Sequence, residues 1–382
     1  MATRNYREVP TRSRREMSGR DIPNRNRRKK RKKKANMKAL FALEVFVMVA
    51  LVVVLFAVYK LDLADTNNKT SVIEATVNDE VKDQINDDDN TWGMNGYTNV
   101  ALFGVDSRDG NLDKGARTDT IMVASLNEAT GDIKLCSVFR DTYMNIGNDT
   151  YSKANSAYSH GGPTQAIQML NDNLDLEINQ YITVDFSALI DVINALGGVE
   201  IDVTEEEIHF LNDYQIGTAE ASGIAKKDIK NVTKAGHQTL NGLQATSYCR
   251  IRYTKGDDFK RAERQRTVLT QIADKLKTAD ISELNNIIDE VFPKIKTSFD
   301  KAELTAYAAK AVGYKIAGQA GFPADNSTGT MGDAGSCVVA NDFAANVEAF
   351  HQFLYGDSEY TPSSTVQKIS EKVAADKTKH GV

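Results

Sequence analysis

The sequence predicts an α/β fold: a three-layer α-β-α body around a central mixed sheet, preceded by one transmembrane helix. Three observations carry this. From residue 97 onward, short strand-like apolar runs alternate with amphipathic helical ones, the pattern of a sheet covered by helices. Two of the runs, Thr118–Asn127 and Ile133–Asp141, are separated only by the turn EATGD, so at least one neighbouring pair is antiparallel. A single stretch, Ala39–Tyr59, is apolar throughout with Glu44 as its one charge. At about 1.5 Å per residue it matches the hydrocarbon thickness of a bilayer.

That stretch divides the chain into unlike parts. The chain has 382 residues and a formal net charge of -5, but residues 1–38 hold 16 Lys and Arg against three acidic residues. The remainder carries 31 basic and 49 acidic residues. The run RNRRKKRKKK (Arg25–Lys34) keeps residues 1–38 cytoplasmic by the positive-inside rule and places everything after Lys60 outside. Beside a span, such a run reads as a topology signal in contact with anionic headgroups, and no nucleic-acid partner is expected. KLDLADTNN after the apolar run is unlike a signal-peptide cleavage site. The expected organisation is a basic cytoplasmic tail (1–38), a transmembrane helix (39–60), an acidic linker or short helix (61–96), an outer domain (97–355) and a C-terminal tail (356–382). Cys136, Cys249 and Cys337 have no metal-ligand or redox spacing and read as small buried hydrophobes, with a Cys136–Cys249 bridge left open.

Within the outer domain each element has a local reason. YTNVALFGVDSR is an apolar run ending in Gly and Asp, a strand. TDTIMVASLN and IKLCSVFRD make a hairpin around EATGD. GGPTQAIQMLNDNL opens a helix, with Pro near its first turn and Ala166, Ile167, Met169, Leu170 and Leu174 apolar. YITVDF is strand-like, SALIDVINALGG is a helix ended by glycines, and VEIDV is a strand. GLQATSYCRIRYT is read as containing a strand, followed by helices in RAERQRTVLTQIADKLKTA and SELNNIIDEVFPKI.

Two groups of residues carry chemistry. The first lies in RIRYTKGDDFKRAERQR (Arg250–Arg266). As a strand, Tyr248–Thr254 puts Arg250 and Arg252 on one face, and Cys249, Ile251 and Tyr253 on the other, toward the core. In the next helix Val268, Leu269, Ile272 and Leu276 form an apolar stripe, and stepping back by turns puts Gln265 and Arg261 on it. These two point into the protein, whereas Arg264 and Arg266, a quarter-turn off, read as surface charge. Inward arginines need a counter-charge. A diphosphate supplies one, since guanidinium forks bond phosphate oxygens in pairs and a helix start favours an anion. Pairing with Asp257 or Asp258 is the structural alternative. The second group is Asp106 and Asp119, at neighbouring strand ends, placed to share one Mg²⁺, with Arg108 and Arg117 close in sequence and Arg140 at the end of the hairpin partner. A metal and fixed cations on one diphosphate stabilise charge developing on a leaving phosphate. Lys153 and His160 are weaker candidates. No P-loop, G-x-S-x-G or H-E-x-x-H occurs.

Together these pieces resemble the LytR-CpsA-Psr family of bacterial wall-polymer ligases. LFGVDSR, RTDTIMVASLN, FRDTYMNI, KANSAYSHGGP, ALGGVEIDV, LNGLQATSYCRIRYT and DDFKRAERQR occur in the family's order, over about residues 98–272. Phe139 departs from the proline the family usually has before the Arg-Asp pair. The resemblance implies a Mg-dependent phosphotransferase at the outer face of a bacterial, Gram-positive cell membrane. It would move a glycopolymer (teichoic acid, capsule or similar) from a polyprenyl-diphosphate carrier to peptidoglycan through a phosphodiester bond. It implies that Asp106 and Asp119 hold Mg²⁺ and act with Arg140 in catalysis. It also implies that Arg140, Arg250, Arg252, Arg261 and Gln265 grip the diphosphate, with Arg108 and Arg117 in support, and that the prenyl tail enters an apolar tunnel. Two readings compete with it: a hydrolase of the same lipid diphosphate, and a membrane-tethered non-catalytic regulator. The residues leave the general base open between Asp106, Asp119 and a metal-bound water.

Overall fold

The computed structural model describes residues 75–86, 92–106, 112–113, 115–254, 257–276, 295–298, 314–356 and 359–382. The expected basic tail, the span at 39–60 and all but the last residue of the helix expected over 282–295 lie outside these residues, and that last residue, Ile295, opens a strand. Among the described residues no helix is long and apolar enough to cross a membrane.

In chain order the strands are β1 (Tyr97–Val105), β2 (Thr118–Asn127), β3 (Asp132–Val138), β4 (Tyr143–Asn145), β5 (Tyr151–Lys153), β6 (Ile178–Asp185), β7 (Val199–Val203), β8 (Gly236–Leu240), β9 (Ile295–Thr297), β10 (Lys315–Phe322), β11 (Asn326–Thr330) and β12 (Ser336–Ala340). The helices are α1 (Asp79–Asn86), α2 (Asn155–Leu174), α3 (Phe186–Ala195), α4 (Glu205–Ala221), α5 (Gly242–Tyr248), α6 (Asp257–Leu276), α7 (Phe343–Tyr355) and α8 (Ser364–His380).

A six-stranded sheet runs β10-β3-β2-β1-β6-β9. It is mixed: β1–β2, β2–β3 and β6–β9 pair antiparallel, β1–β6 and β3–β10 parallel. The β2–β3 hairpin turns as the sequence suggests. Asn127 Oδ1 accepts the N–H groups of Ala129 and Thr130, and Gly131 takes a φ of 73° that favours glycine. Alternation then sorts side chains between two layers. Ala101, Phe103, Val105, Val123 and Cys136 face a layer built from α2, α7 and α8. Val100, Ala124, Leu135 and Ile182 face a layer built from α3, α4, α5 and α6.

Three expectations change. Tyr248–Thr254 is not a strand: α5 occupies Gly242–Tyr248 and the chain then turns. The cause is local. Asn241 and Gln244 form a reciprocal capping box, each side chain accepting the other's backbone N–H at 2.9 Å, which starts a helix whatever the β propensity downstream. Gly242 lets this helix approach α3, since a Cβ there would lie 2.2 Å from the Ile190 carbonyl oxygen. Second, the folded body reaches beyond both ends of 97–355. Val81, Trp92 and Met94 are buried upstream, and Val366, Ile369 and Val373 of α8 are buried downstream. Asp175 anchors the downstream segment, accepting the Ser363 N–H at 2.8 Å, the Ser363 hydroxyl at 2.7 Å and the Tyr360 hydroxyl at 2.8 Å. Third, α2 begins at Asn155, ahead of the expected Gly-Gly-Pro start, and breaks its helical backbone at Gly161 and Gly162 just before Pro163. The three cysteines are buried and free.

His351 of α7 lies fully buried, its ring stacked 3.6 Å from Tyr360. Its Nε2 donates to the Leu174 carbonyl at 2.7 Å, while Nδ1 has no hydrogen-bond partner. Burial holds this imidazole's pKa down, from 6.5 to about 4. The unfolded chain therefore takes up the proton first. The stabilisation is complete above pH 6.5 and is lost as pH falls toward 4. Urea unfolding across that window should show a loss of about 3 kcal/mol, and a flatter profile in His351→Phe.

Candidate active site

Between the second face of the sheet and helices α3 and α6 lies a cavity of about 260 Å³. Leu102, Met122, Val184, Val192, Leu269 and Ile272 give it apolar walls. Asp119, Arg140, Arg250, Arg252, Arg261 and Gln265 also line it, and ion pairs to Asp119 and Asp258 draw Arg140, Arg252 and Arg261 together at its mouth.

Local structure positions each charged group. The β1–β2 register passes from Gly104↔Thr120 to Val105↔Thr118, so Asp119 is the extra residue of a β-bulge. Bulges re-aim side chains, and this one turns Asp119 to the mouth. Gly104 sits against Thr120, where a Cβ would lie 3.0 Å from that side chain. Helix α6 starts one turn earlier than expected, at Asp257, so Asp258 occupies its first turn and Arg261 and Gln265 follow at helical spacing. Both are buried, as the stripe requires. Gln265 Nε2 donates to the Cys249 carbonyl at 3.4 Å.

Carboxylates and guanidinium groups interleave at the mouth. Arg140 pairs with Asp119 through Nη1, and its Nε lies 3.5 Å from Asp141 and 3.8 Å from Asp258. Asp258 also takes Arg261 at 2.9 Å and Arg252 at 3.6 Å. Arg250 reaches Asp106 at 4.0 Å, donates to Thr218 Oγ1 at 2.9 Å and lies 4.5 Å over the Phe186 ring. Burial pushes the Asp258 carboxyl up, opposed by Arg261, Arg140 and Arg252. Burial also pulls the Arg261 pKa down. For Arg140 burial acts downward, but Asp119, Asp141 and Asp258 outweigh it and the net shift is upward. Despite these pairs, Asp106 Oδ1, Asp258 Oδ1, Arg140 Nε and Arg261 Nε are buried without a hydrogen-bond partner. Cys249 lines the cavity too, but burial raises its thiol to about 12, so it is no nucleophile at neutral pH.

Six of the nine sequence-derived residues therefore line one cavity, and Asp106 adjoins it through Arg250. Arg117 is exposed and off the cavity wall, contributing its carbonyl to the Asp106 N–H at 3.3 Å. Arg108 lies outside the described residues. Lys153 enters at one remove, 3.2 Å from Asp141, whereas His160 is exposed and bonded to its own helix. Asp258 proves to be the counter-ion that the structural alternative required. One assignment fails outright: Arg264 is buried, not surface charge. It pairs with Glu207 at 2.8 Å and donates to the Ile251 carbonyl and to Thr254 Oγ1 at 3.1 and 2.7 Å. Arg266 is half-buried and donates to Ser137 Oγ at 2.8 Å. The signal for Glu207 was readable as a capping box, Thr204-x-x-Glu207, but nothing in the sequence joined it to Arg264.

The LytR_cpsA_psr family model matches residues 59–329, well over half of the chain. The chain belongs to the LytR-CpsA-Psr family. Among relatives of known name, it is 27% identical to the polyisoprenyl-teichoic acid–peptidoglycan teichoic acid transferase TagV of Bacillus subtilis (strain 168), over 70% of this chain and 66% of TagV. The match thus spans just under two thirds of TagV. The transferase TagT of the same strain is 30% identical over 71% of this chain and 80% of its own. The crystal structure of B. subtilis TagV superposes with a TM-score of 0.54 and 26% identity, over 70% of this chain and 98% of that one.

In this LytR-CpsA-Psr chain, Glu207 ties three segments together. One oxygen accepts the Thr204 N–H at 2.9 Å, and the other meets Arg264, which holds the segment carrying Arg250 and Arg252. Arg264→Ala would leave Glu207 buried and unpaired. Chemical denaturation should show a loss of about 3 kcal/mol.

Proposed function

We propose that the chain is a phosphotransferase that moves a glycopolymer from a polyprenyl-diphosphate carrier to peptidoglycan, making a phosphodiester bond. Teichoic acid, named in the relatives, is the first candidate cargo. The observation that carries the reading is the set of buried polar atoms without partners at the mouth of an apolar cavity. Buried polar atoms normally find partners, and these two guanidinium Nε groups suit the oxygens of a diphosphate whose prenyl tail lies behind them. Residues 39–60 would hold the chain in the membrane with the domain outside, where carrier and acceptor meet.

In the proposed reaction an acceptor hydroxyl attacks the phosphorus bearing the glycopolymer. The bond to the prenyl phosphate breaks, and prenyl monophosphate leaves. Arg140, Arg252 and Arg261 exchange Asp258 for the phosphates and neutralise charge on the departing one. Arg250 stays fixed by Phe186 and Thr218 and orients the group from the side of Asp106.

Asp106 and Asp119 fit a divalent cation, Mg²⁺ in our reading. One has a buried oxygen without a partner, and the other is turned inward by a bulge. Charge balance supports it as well. Four arginines and Lys153 already face Asp106, Asp119, Asp141 and Asp258, so a diphosphate would leave negative charge in excess. When bound, the cation supplies a Lewis acid to the phosphate oxygens.

The test uses the full-length chain in detergent micelles with lipid-linked donor and peptidoglycan. Arg261→Ala and Asp119→Ala should each lower product formation by about 10²-fold or more. Unchanged product in both would refute the assignment. Chelation should abolish turnover and added Mg²⁺ should restore it, while faster donor consumption without peptidoglycan would mark a hydrolase.

A further inference from the structure

Tyr253 is 73% exposed, although alternation along the chain would have sent it to the core with Ile251. It is not isolated. Its ring stacks on Tyr214 at 6.4 Å and 20°, and lies 6.1 Å from Phe210 at 39°. Phe210 and Tyr214 are one turn apart on α4, so they share a face. Tyr214 also lines the cavity, and the Arg250 guanidinium lies 5.8 Å from its ring centre. One aromatic surface therefore runs from the arginine cluster out to solvent. Beside it on α4, the exposed His209 and Asp213 lie 3.3 Å apart, with His209 against the Phe210 ring at 5.3 Å.

A large aromatic ring left in water beside a polar cluster needs a ligand with one apolar and one polar side. A pyranose has that form. Its flat face presents weakly positive C–H bonds that suit the negative face of an aromatic ring. Its hydroxyls project sideways, where a carboxylate and an imidazole can meet them. We infer that Phe210, Tyr214 and Tyr253 form a pyranose-binding platform at the cavity mouth, with His209 and Asp213 meeting ring hydroxyls. This rests on the proposed reaction, in which sugars flank the new bond on both sides. The platform would take either the first sugar of the donor or a sugar of the acceptor strand.

Calorimetric titration of the full-length chain in micelles tests it with three probes: farnesyl diphosphate, farnesyl diphosphate carrying one N-acetylglucosamine, and chitotetraose. Tyr253→Ala should bind plain farnesyl diphosphate as the wild type does. It should bind one of the sugar probes about 3- to 10-fold more weakly, with Tyr253→Phe restoring affinity. Loss on the glycosylated lipid identifies a donor subsite, and loss on chitotetraose an acceptor subsite. Wild-type affinity for both sugar probes in Tyr253→Ala, or an equal loss on plain lipid, overturns the platform. Failure of the wild type to bind farnesyl diphosphate at all would instead refute the proposed function.

Discussion

A cluster of arginines held partly out of water must be met by negative charge at every moment, and much of this domain is organised around that requirement. Asp258 meets three of them at once. It can do so because α6 begins one residue before it, which brings Asp258 and Arg261 onto adjacent turns. Asp119 meets Arg140 only because the β1–β2 ladder slips by a residue at Gly104. Behind them Glu207 and Arg264 brace the loop that carries Arg250 and Arg252. The pairs are interdependent: removing one partner leaves another charge buried and alone, which costs more than the pair contributes.

The two layers of the domain divide the work. On the face of α2, α7 and α8, packing is dense, and Asp175 collects three donors from the segment before α8. That face fixes the sheet. The opposite face keeps an open space between β-strands and α3 and α6, with apolar walls such as Leu102, Met122 and Ile272 beside the charged cluster. A sheet braced on one side can afford a cavity on the other without losing register.

The sequence showed most clearly what depends on short-range periodicity. β1, β2, β3 and the turn between them follow from alternation and turn chemistry, and the stripe in α6 correctly sent Arg261 and Gln265 inward. It misjudged Arg264 because that residue is buried by α4, an element more than forty residues earlier in the chain, through an ion pair with Glu207. Alternation in Tyr248–Thr254 suggests a strand, but the capping box at Asn241 starts a helix just ahead of it and the chain turns instead. Arg250 and Arg252 nonetheless both reach the cavity, with Ile251 buried between them, so the reason given was wrong while their shared destination was right. The bulge at Asp119 is a property of two strands in register, and neither strand alone encodes it visibly.

The cavity separates the hold on a lipid tail from the hold on its phosphates. In the proposed transfer the lipid product surrenders one phosphate and keeps every contact along Leu102, Met122 and Ile272. Those contacts, about 0.8 kcal/mol for each buried methylene, do not distinguish spent carrier from fresh donor. In that transfer spent carrier is therefore a natural competitor of its own precursor for the same apolar walls.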